Sequence, residues 1–259
     1  MFASALKTIF FNERVVFAFA AQLFTSTSMG LLTRRLLVTY RERGHPAAKY
    51  LSRTTLFLAF TSSFQLLDML LFTPFLDVGG LGYGLAYTWS AVANVFMLWF
   101  ALEIFSTGVD TAGASAKAFV VLEGVVAVAT PLVALLAEPA VILVLGVHMG
   151  AALVLYFWLF GQTREAAQKV DEQDAKRGFQ LLGLGVACII AAYVSFVMDR
   201  VWTTLFLPEG YTAFTVVGWL FAASAGILLY FGFTLPARRK KGQRAAGAAD
   251  EREGGGETS

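Results

Sequence analysis

Residues 164–202 read REAAQKVDEQDAKRGFQLLGLGVACIIAAYVSFVMDRVW, and the chain changes chemistry halfway through. Arg164 to Arg177 interleaves Arg164, Lys169, Lys176 and Arg177 with Glu165, Asp171, Glu172 and Asp174, a charged run of helix-forming residues. From Phe179 the chain is apolar until Asp199 and Arg200. A hydrocarbon core ~30 Å thick is crossed by ~20 helical residues, so Phe179–Trp202 predicts one crossing. It lacks the strict alternation of a barrel strand, and a helix satisfies every backbone group in lipid.

Six more segments have the same character: Val15–Thr33, Thr54–Leu76, Tyr83–Phe105, Ala118–Leu136, Ala140–Phe160 and Tyr211–Leu235. The fold class is therefore all-α, a polytopic membrane bundle of seven transmembrane helices over residues 1–236. Residues 237–259, polar, charged and rich in Gly and Ala, are expected to be a disordered tail. The breaks suit short hairpins: Val78-Gly79-Gly80-Leu81-Gly82, Ala137-Glu138-Pro139 and Leu207-Pro208-Glu209-Gly210. The first basic loop mixes Leu36, Leu37, Val38 and Tyr40 with arginines, so helix one is expected to run past the membrane surface. Asn12, Glu13 and Arg14 interrupt the first apolar stretch, which reads as a retained helix rather than a cleaved signal.

The charges give direction. Arg34, Arg35, Arg41, Arg43, Lys49, Arg53, Lys117, Arg164, Lys169, Lys176, Arg177, Arg238, Arg239, Lys240, Lys241, Arg244 and Arg252 fall on one side, seventeen of the twenty Lys and Arg residues. Lys7, Arg14 and Arg200 fall on the other. Basic loops stay in the cytoplasm, so the N-terminus is expected outside and the C-terminus inside. Opposite termini require an odd number of crossings, and seven is odd. The expected location is the cytoplasmic membrane, multi-pass.

Composition agrees. The 259 residues are 57% hydrophobic and only 15% charged, against about 25% charged for a soluble domain. A net charge of +2 with the basic residues at membrane edges gives no nucleic-acid surface. Cys188 is the one cysteine, which excludes an internal disulfide or a cysteine metal cage.

Polar residues inside the spans are the candidate site, because an ionisable group in lipid needs a partner or water. Thr61, Gln65 and Asp68 form a stripe at i, i+4 and i+7, and Asp68 is the leading candidate. His148 lies on helix five between Gly146 and Gly150. Ser90 and Asn94 share a face of helix three. Gln22, Asp68, Asn94, His148 and Tyr193 lie on five helices at similar depth in the outer half, the pattern of a ligand pocket open to the outside. Glu103 and Glu123 are read as structural carboxylates at the cytoplasmic boundary, and Asp199 and Arg200 as interfacial. Small residues at a spacing of four predict close packing: Gly146 and Gly150, Gly183 and Ala187, and Gly218, Ala222 and Gly226. Helices five to seven should then form the tight side of the bundle.

Familiar chemistries are missing. Helix seven has no lysine for a retinal Schiff base. There is no Gly-x-Ser-x-Gly elbow, no P-loop, and no histidine pairing for haem or a metal. A non-enzymatic protein without cofactor or metal is expected.

Leu229-Tyr230-Phe231-Gly232-Phe233-Thr234-Leu235-Pro236, followed by basic residues, is similar to the exit sequence of the N-terminal seven-helix sensor region of prokaryotic membrane histidine kinases. The charged loop leading into Leu181-Leu182-Gly183-Leu184-Gly185 also looks similar. The resemblance implies an N-out sensor bundle. Only 23 residues follow Pro236, with no dimerisation helix, phospho-acceptor histidine or ATP-binding domain, so output would pass through a separate partner. The expected function is a receptor-like sensor whose partners are lipids and another membrane or cytoplasmic protein. The alternatives are an accessory subunit of a larger membrane complex, and a small-solute or ion transporter with Asp68 at its site.

Overall fold

The computed structural model describes residues 13–70, 81–106, 113–136, 138–206 and 212–254. Lys7 and the turns expected at 78–80 and 207–210 lie outside these residues.

Among the described residues seven helices follow one another: α1 Glu13–Arg43, α2 Pro46–Leu67, α3 Leu81–Phe105, α4 Ala114–Leu136, α5 Glu138–Lys169, α6 Gln173–Leu205 and α7 Ala213–Gly254. No strand occurs among the described residues. Six of the helices, all but α2, are long and apolar enough to cross a membrane, as in a multi-pass membrane protein. α2 is more polar in its first turns, where Lys49, Ser52, Arg53, Thr54 and Thr55 follow one another closely.

Most helices run beyond their apolar cores. α1 continues to Arg43, ten residues past the expected end, and the chain then reverses in a few residues. Gly44 takes φ +66°, a left-handed conformation suited to a residue without Cβ. His45 then caps α2 by accepting from the Ala47 N–H, with Pro46 in the first turn. The charged run at 164–177 is almost all helical, divided between the end of α5 and the start of α6. α7 carries on past Pro236 into the segment for which disorder was expected. The Ala, Arg, Lys and Gln residues there favour helix locally.

Neighbouring helices pack in sequence, and α7 closes the bundle against both α6 and α1. The α6–α7 contact is the closest. A Cβ on Gly232 would lie 2.7 Å from the Leu182 nitrogen and 2.8 Å from the Gly178 oxygen. Gly185 receives Leu229, Gly218 receives the Phe196 ring, and Gly226 receives Met29 of α1. Gly183 meets Thr163 of α5. Ala187 is only half-buried.

Gly146 and Gly150 break this pattern. Both are exposed, and nothing lies within 4 Å of where a Cβ would stand. They share an outward surface with Leu143, Val147, Val154 and Phe157. The spacing was right for packing, but His148 and Met149 are the residues α5 turns inward. The glycine contacts therefore join α6, α7 and α1, and α5 packs along α6 with Thr163 against Gly183.

α4 exposes Val121, Val125, Val128, Leu132 and Leu135. Such apolar exposure would be a liability in water and suits lipid. Serine and threonine hydroxyls within the bundle satisfy themselves locally: Thr25, Thr33, Thr61, Thr130, Ser195 and Thr234 each donate to the carbonyl four residues back.

Candidate functional site

α4 has three buried polar or apolar anchors at helical spacing, Glu123, Val126 and Thr130. The helix begins at Ala114, four residues before the expected span. Glu123 therefore stands roughly 14 Å into it, and is 1% exposed. This corrects its reading as a carboxylate at the membrane boundary. The residues Gly113–Lys117, taken as loop, mostly add a helical turn beneath it.

Its partner is His148, itself 0% exposed. His148 Nδ1 lies 2.8 Å from Glu123 Oε2. Asn94 Nδ2 donates to Glu123 Oε1 at 3.3 Å. Asn94 Oδ1 accepts from the Tyr156 hydroxyl at 2.8 Å and from the Tyr193 hydroxyl at 3.2 Å. Ser90 Oγ lies 3.2 Å from both His148 Nε2 and the Tyr193 hydroxyl. The Tyr87 ring meets the imidazole edge-on, with centroids 5.8 Å apart. Four helices meet here through buried polar atoms.

Helical periodicity places these groups. Tyr83, Tyr87, Ser90 and Asn94 follow one another at intervals of three and four along one face of α3. His148, Ala152 and Tyr156 do the same on α5, and all three are buried. The Asn94 amide has one workable orientation. Turned over, its oxygen would face a carboxylate and the Tyr156 hydroxyl would lose its acceptor.

The α3 face continues toward the helix start. The Tyr83 and Tyr87 hydroxyls lie 2.9 Å apart. Arg200 Nε donates to the Tyr83 hydroxyl at 2.8 Å, and the guanidinium stands 4.2 Å from the Tyr83 ring centroid. Beside it, Asp199 accepts from the Thr212 and Thr215 hydroxyls and ties α6 to the start of α7.

Against the cluster lies a cavity of about 60 Å³, walled by α2, α3, α5, α6 and α7. Its polar lining is Thr61, Gln65, Tyr87, Ser90, Tyr156 and Tyr193. Trp219 also lines it, and its buried indole Nε1 has no hydrogen-bond partner. An orphaned buried donor is costly, and water or a small acceptor in the cavity would satisfy it. The volume suits roughly four waters. At the other end of the bundle a cleft of about 280 Å³ is lined by His45, Glu103, Phe179, Leu182, Gly232 and Phe233.

Of the residues singled out from sequence, Asn94, His148 and Tyr193 come together. Thr61 and Gln65 reach the cavity wall, as their stripe predicted. Asp68, the leading candidate, does not join them: it is the half-buried C-cap of α2, beyond Gln65. Gln22 is fully buried, and neither amide atom has a hydrogen-bond partner. It sits one turn from Thr25, which donates to the Trp219 carbonyl, and from Ser26, which contacts Ser63. Gln22 thus belongs to the α1–α2–α7 side and not to the Glu123 cluster. Glu123 and Tyr156 were missed. The signal for Glu123 was a single carboxylate in a valine-rich helix at i, i+3, i+7 with Val126 and Thr130. No group of three or more His, Cys, Asp or Glu placed to hold a metal occurs among the described residues.

No family model, curated protein or solved structure matches this chain.

Proposed function

We propose that the chain is a non-enzymatic membrane sensor that crosses the bilayer seven times, N-terminus outside and C-terminus in the cytoplasm. α2 is the seventh crossing. Its ligand pocket is the cavity beside Glu123 and His148, in the outer half of the bundle, and its output passes to a separate cytoplasmic partner. The observation that carries this reading is the cavity itself: five helices wall one small, largely apolar space edged by Thr61, Gln65, Ser90 and three tyrosines, beside the unpartnered Trp219 indole. The occupant is a small, uncharged hydrogen-bonding solute. The resemblance to the sensor region of membrane histidine kinases points the same way, as does the lopsided distribution of Lys and Arg.

α6 and α7 supply the relay. They wall the cavity through Tyr193, Phe196, Trp219 and Ala222, and the distant cleft through Gly178, Phe179, Leu182, Gly232 and Phe233. At Gly232 the two helices come within backbone contact, which leaves little room for one to shift without the other. A shift at the cavity is then felt at the cleft, where a partner docks.

Filling the cavity with Ala192→Leu imitates an occupant. Hydrogen–deuterium exchange in lipid nanodiscs should change at residues 164–178, far from the substitution. A change confined to α6 around residue 192 would remove the sensor reading.

An accessory-subunit reading draws on the open, exposed groove at Gly146 and Gly150, a surface a partner helix fits closely. It predicts co-purification with a second membrane protein in mild detergent. Gly146→Leu would release that protein, and isolation of a stable single chain would count against the idea.

A further inference from the structure

The hydrogen-bond chain through the cluster permits a proton count. Four contacts run in series: Glu123 Oε2 to His148 Nδ1, His148 Nε2 to Ser90 Oγ, Ser90 Oγ to the Tyr193 hydroxyl, and that hydroxyl to Asn94 Oδ1. Each holds one proton if it is a hydrogen bond. Asn94 Oδ1 has none to give, and the Asn94 NH2 is directed at Glu123 Oε1. Tyr193 and Ser90 supply one proton each, and a neutral imidazole supplies one. A carboxylate supplies none. Three protons then serve four contacts, and one contact is left empty.

One extra proton completes the series. It makes either an imidazolium beside a carboxylate or a neutral imidazole beside a carboxylic acid. In both, His148 donates from Nε2 to Ser90, Ser90 donates to Tyr193, and Tyr193 donates to Asn94. The same proton neutralises the site, which otherwise buries an uncompensated anion, a costly state inside a bilayer.

We propose that Glu123 and His148 form a proton-binding site, loaded from the cavity by way of Ser90 and Tyr193. The titratable groups that meet the pair are Tyr87 from α3, Tyr156 from α5 and Tyr193 from α6, all uncharged phenols in their ordinary state. α4 packs against α3 and α5. Arg200 stands farther out, beyond the Tyr83–Tyr87 hydroxyl pair. A proton reaches the Ser90 and Tyr193 hydroxyls from the cavity that both of them line. It moves along them to His148 Nε2, whose Nδ1 proton already faces Glu123, so the Glu123–His148 pair gains one proton and Ser90 turns to donate to Tyr193. Nothing is oxidised or reduced. Unloading breaks one link of the series and loosens Tyr193 of α6 from α3. This deepens the sensor reading by naming a ligand, yet the site binds its proton whether or not any partner responds.

The chain has only two histidines, and His45→Asn keeps a good N-cap residue while leaving His148 alone to observe. The experiment is ¹⁵N-histidine NMR of that variant in lipid nanodiscs across a pH series, with infrared difference spectra of the carboxyl region. Loss of one proton from the pair in a single step on raising pH is expected. Glu123→Gln should abolish the step and hold His148 neutral with the proton on Nε2, because its amide donates to Nδ1 while its oxygen still accepts from Asn94. Glu123→Asp assigns the carboxyl band should that variant fail to fold. A neutral imidazole beside an ionised carboxylate at every pH would overturn the proposal. A pair that stays loaded at every pH at which the protein is folded would overturn it too, as a locked structural contact. Failure of the cavity-filling experiment alone leaves this titration intact, so the two readings fall separately.

Discussion

The α6–α7 seam and the α3–α4–α5 seam hold the same bundle by opposite means. The first is built from absence: Gly185, Gly218 and Gly232 let Leu229, Phe196 and a backbone come close. The second is built from Glu123, His148, Asn94 and their hydroxyl neighbours, with α4 otherwise turned largely outward. Lipid gives helices no hydrophobic reason to associate, so either close contact or polar bonding must do it. Close contact is tolerant of pH and intolerant of volume. A polar cluster is the reverse, and the second seam holds the buried carboxylate and imidazole that can respond to a proton.

The contrast is open to attack at several points. The largest effect should come from Glu123→Leu, which leaves His148 and Asn94 without their acceptor. Loss of one partner of a buried pair costs about 3–5 kcal/mol, read as reduced thermal stability in detergent. Gly232→Ala, on the apolar seam, should cost about 1–3 kcal/mol by overpacking, because its Cβ meets backbone atoms that cannot move aside. That loss should be the same at all pH values, and a pH-dependent loss would merge the two seams into one. Tyr156→Phe removes one hydrogen bond to Asn94 and should cost about 1 kcal/mol. Gly146→Ala should change stability by no more than about 0.5 kcal/mol, since it faces open space. A large loss there in the purified chain would restore Gly146 to the packed interior.

Hydropathy made the helices legible, because a crossing must be apolar along its whole length and leaves a long signal. The helix ends were less legible. Residues beyond the expected spans, such as 34–43 and 114–117, are mostly polar or small and carry little hydropathy signal, although Leu36 is buried in the core. The site was half legible. Polarity alone picked out Asn94, His148 and Tyr193, but it weighted Asp68 above Glu123. A four-residue difference in the helix start, Ala114 against Ala118, decides whether Glu123 is read as buried or at an interface. The Gly146-x-x-x-Gly150 motif misled for another reason. Small residues at a spacing of four fit any close neighbour, and the spacing carries no information on which way the helix is turned. His148, flanked by both glycines, turned inward and sent them out.

Orientation has its own test. With Cys188 replaced by alanine, a cysteine at Gly80 should react with an impermeant thiol reagent in intact cells, and one at Gln168 should not. The reverse pattern would invert the bundle.

The account depends most on Glu123 and His148 acting as one unit in the interior, and a double-mutant cycle with Glu123→Leu and His148→Leu measures that directly. Each single change should cost several kcal/mol, about 3 or more, by stranding the other partner, while the double change, which removes both polar groups, should cost much less than their sum. Losses that simply add to within about 0.5 kcal/mol would mean the two side chains do not meet, and the polar seam would have no centre.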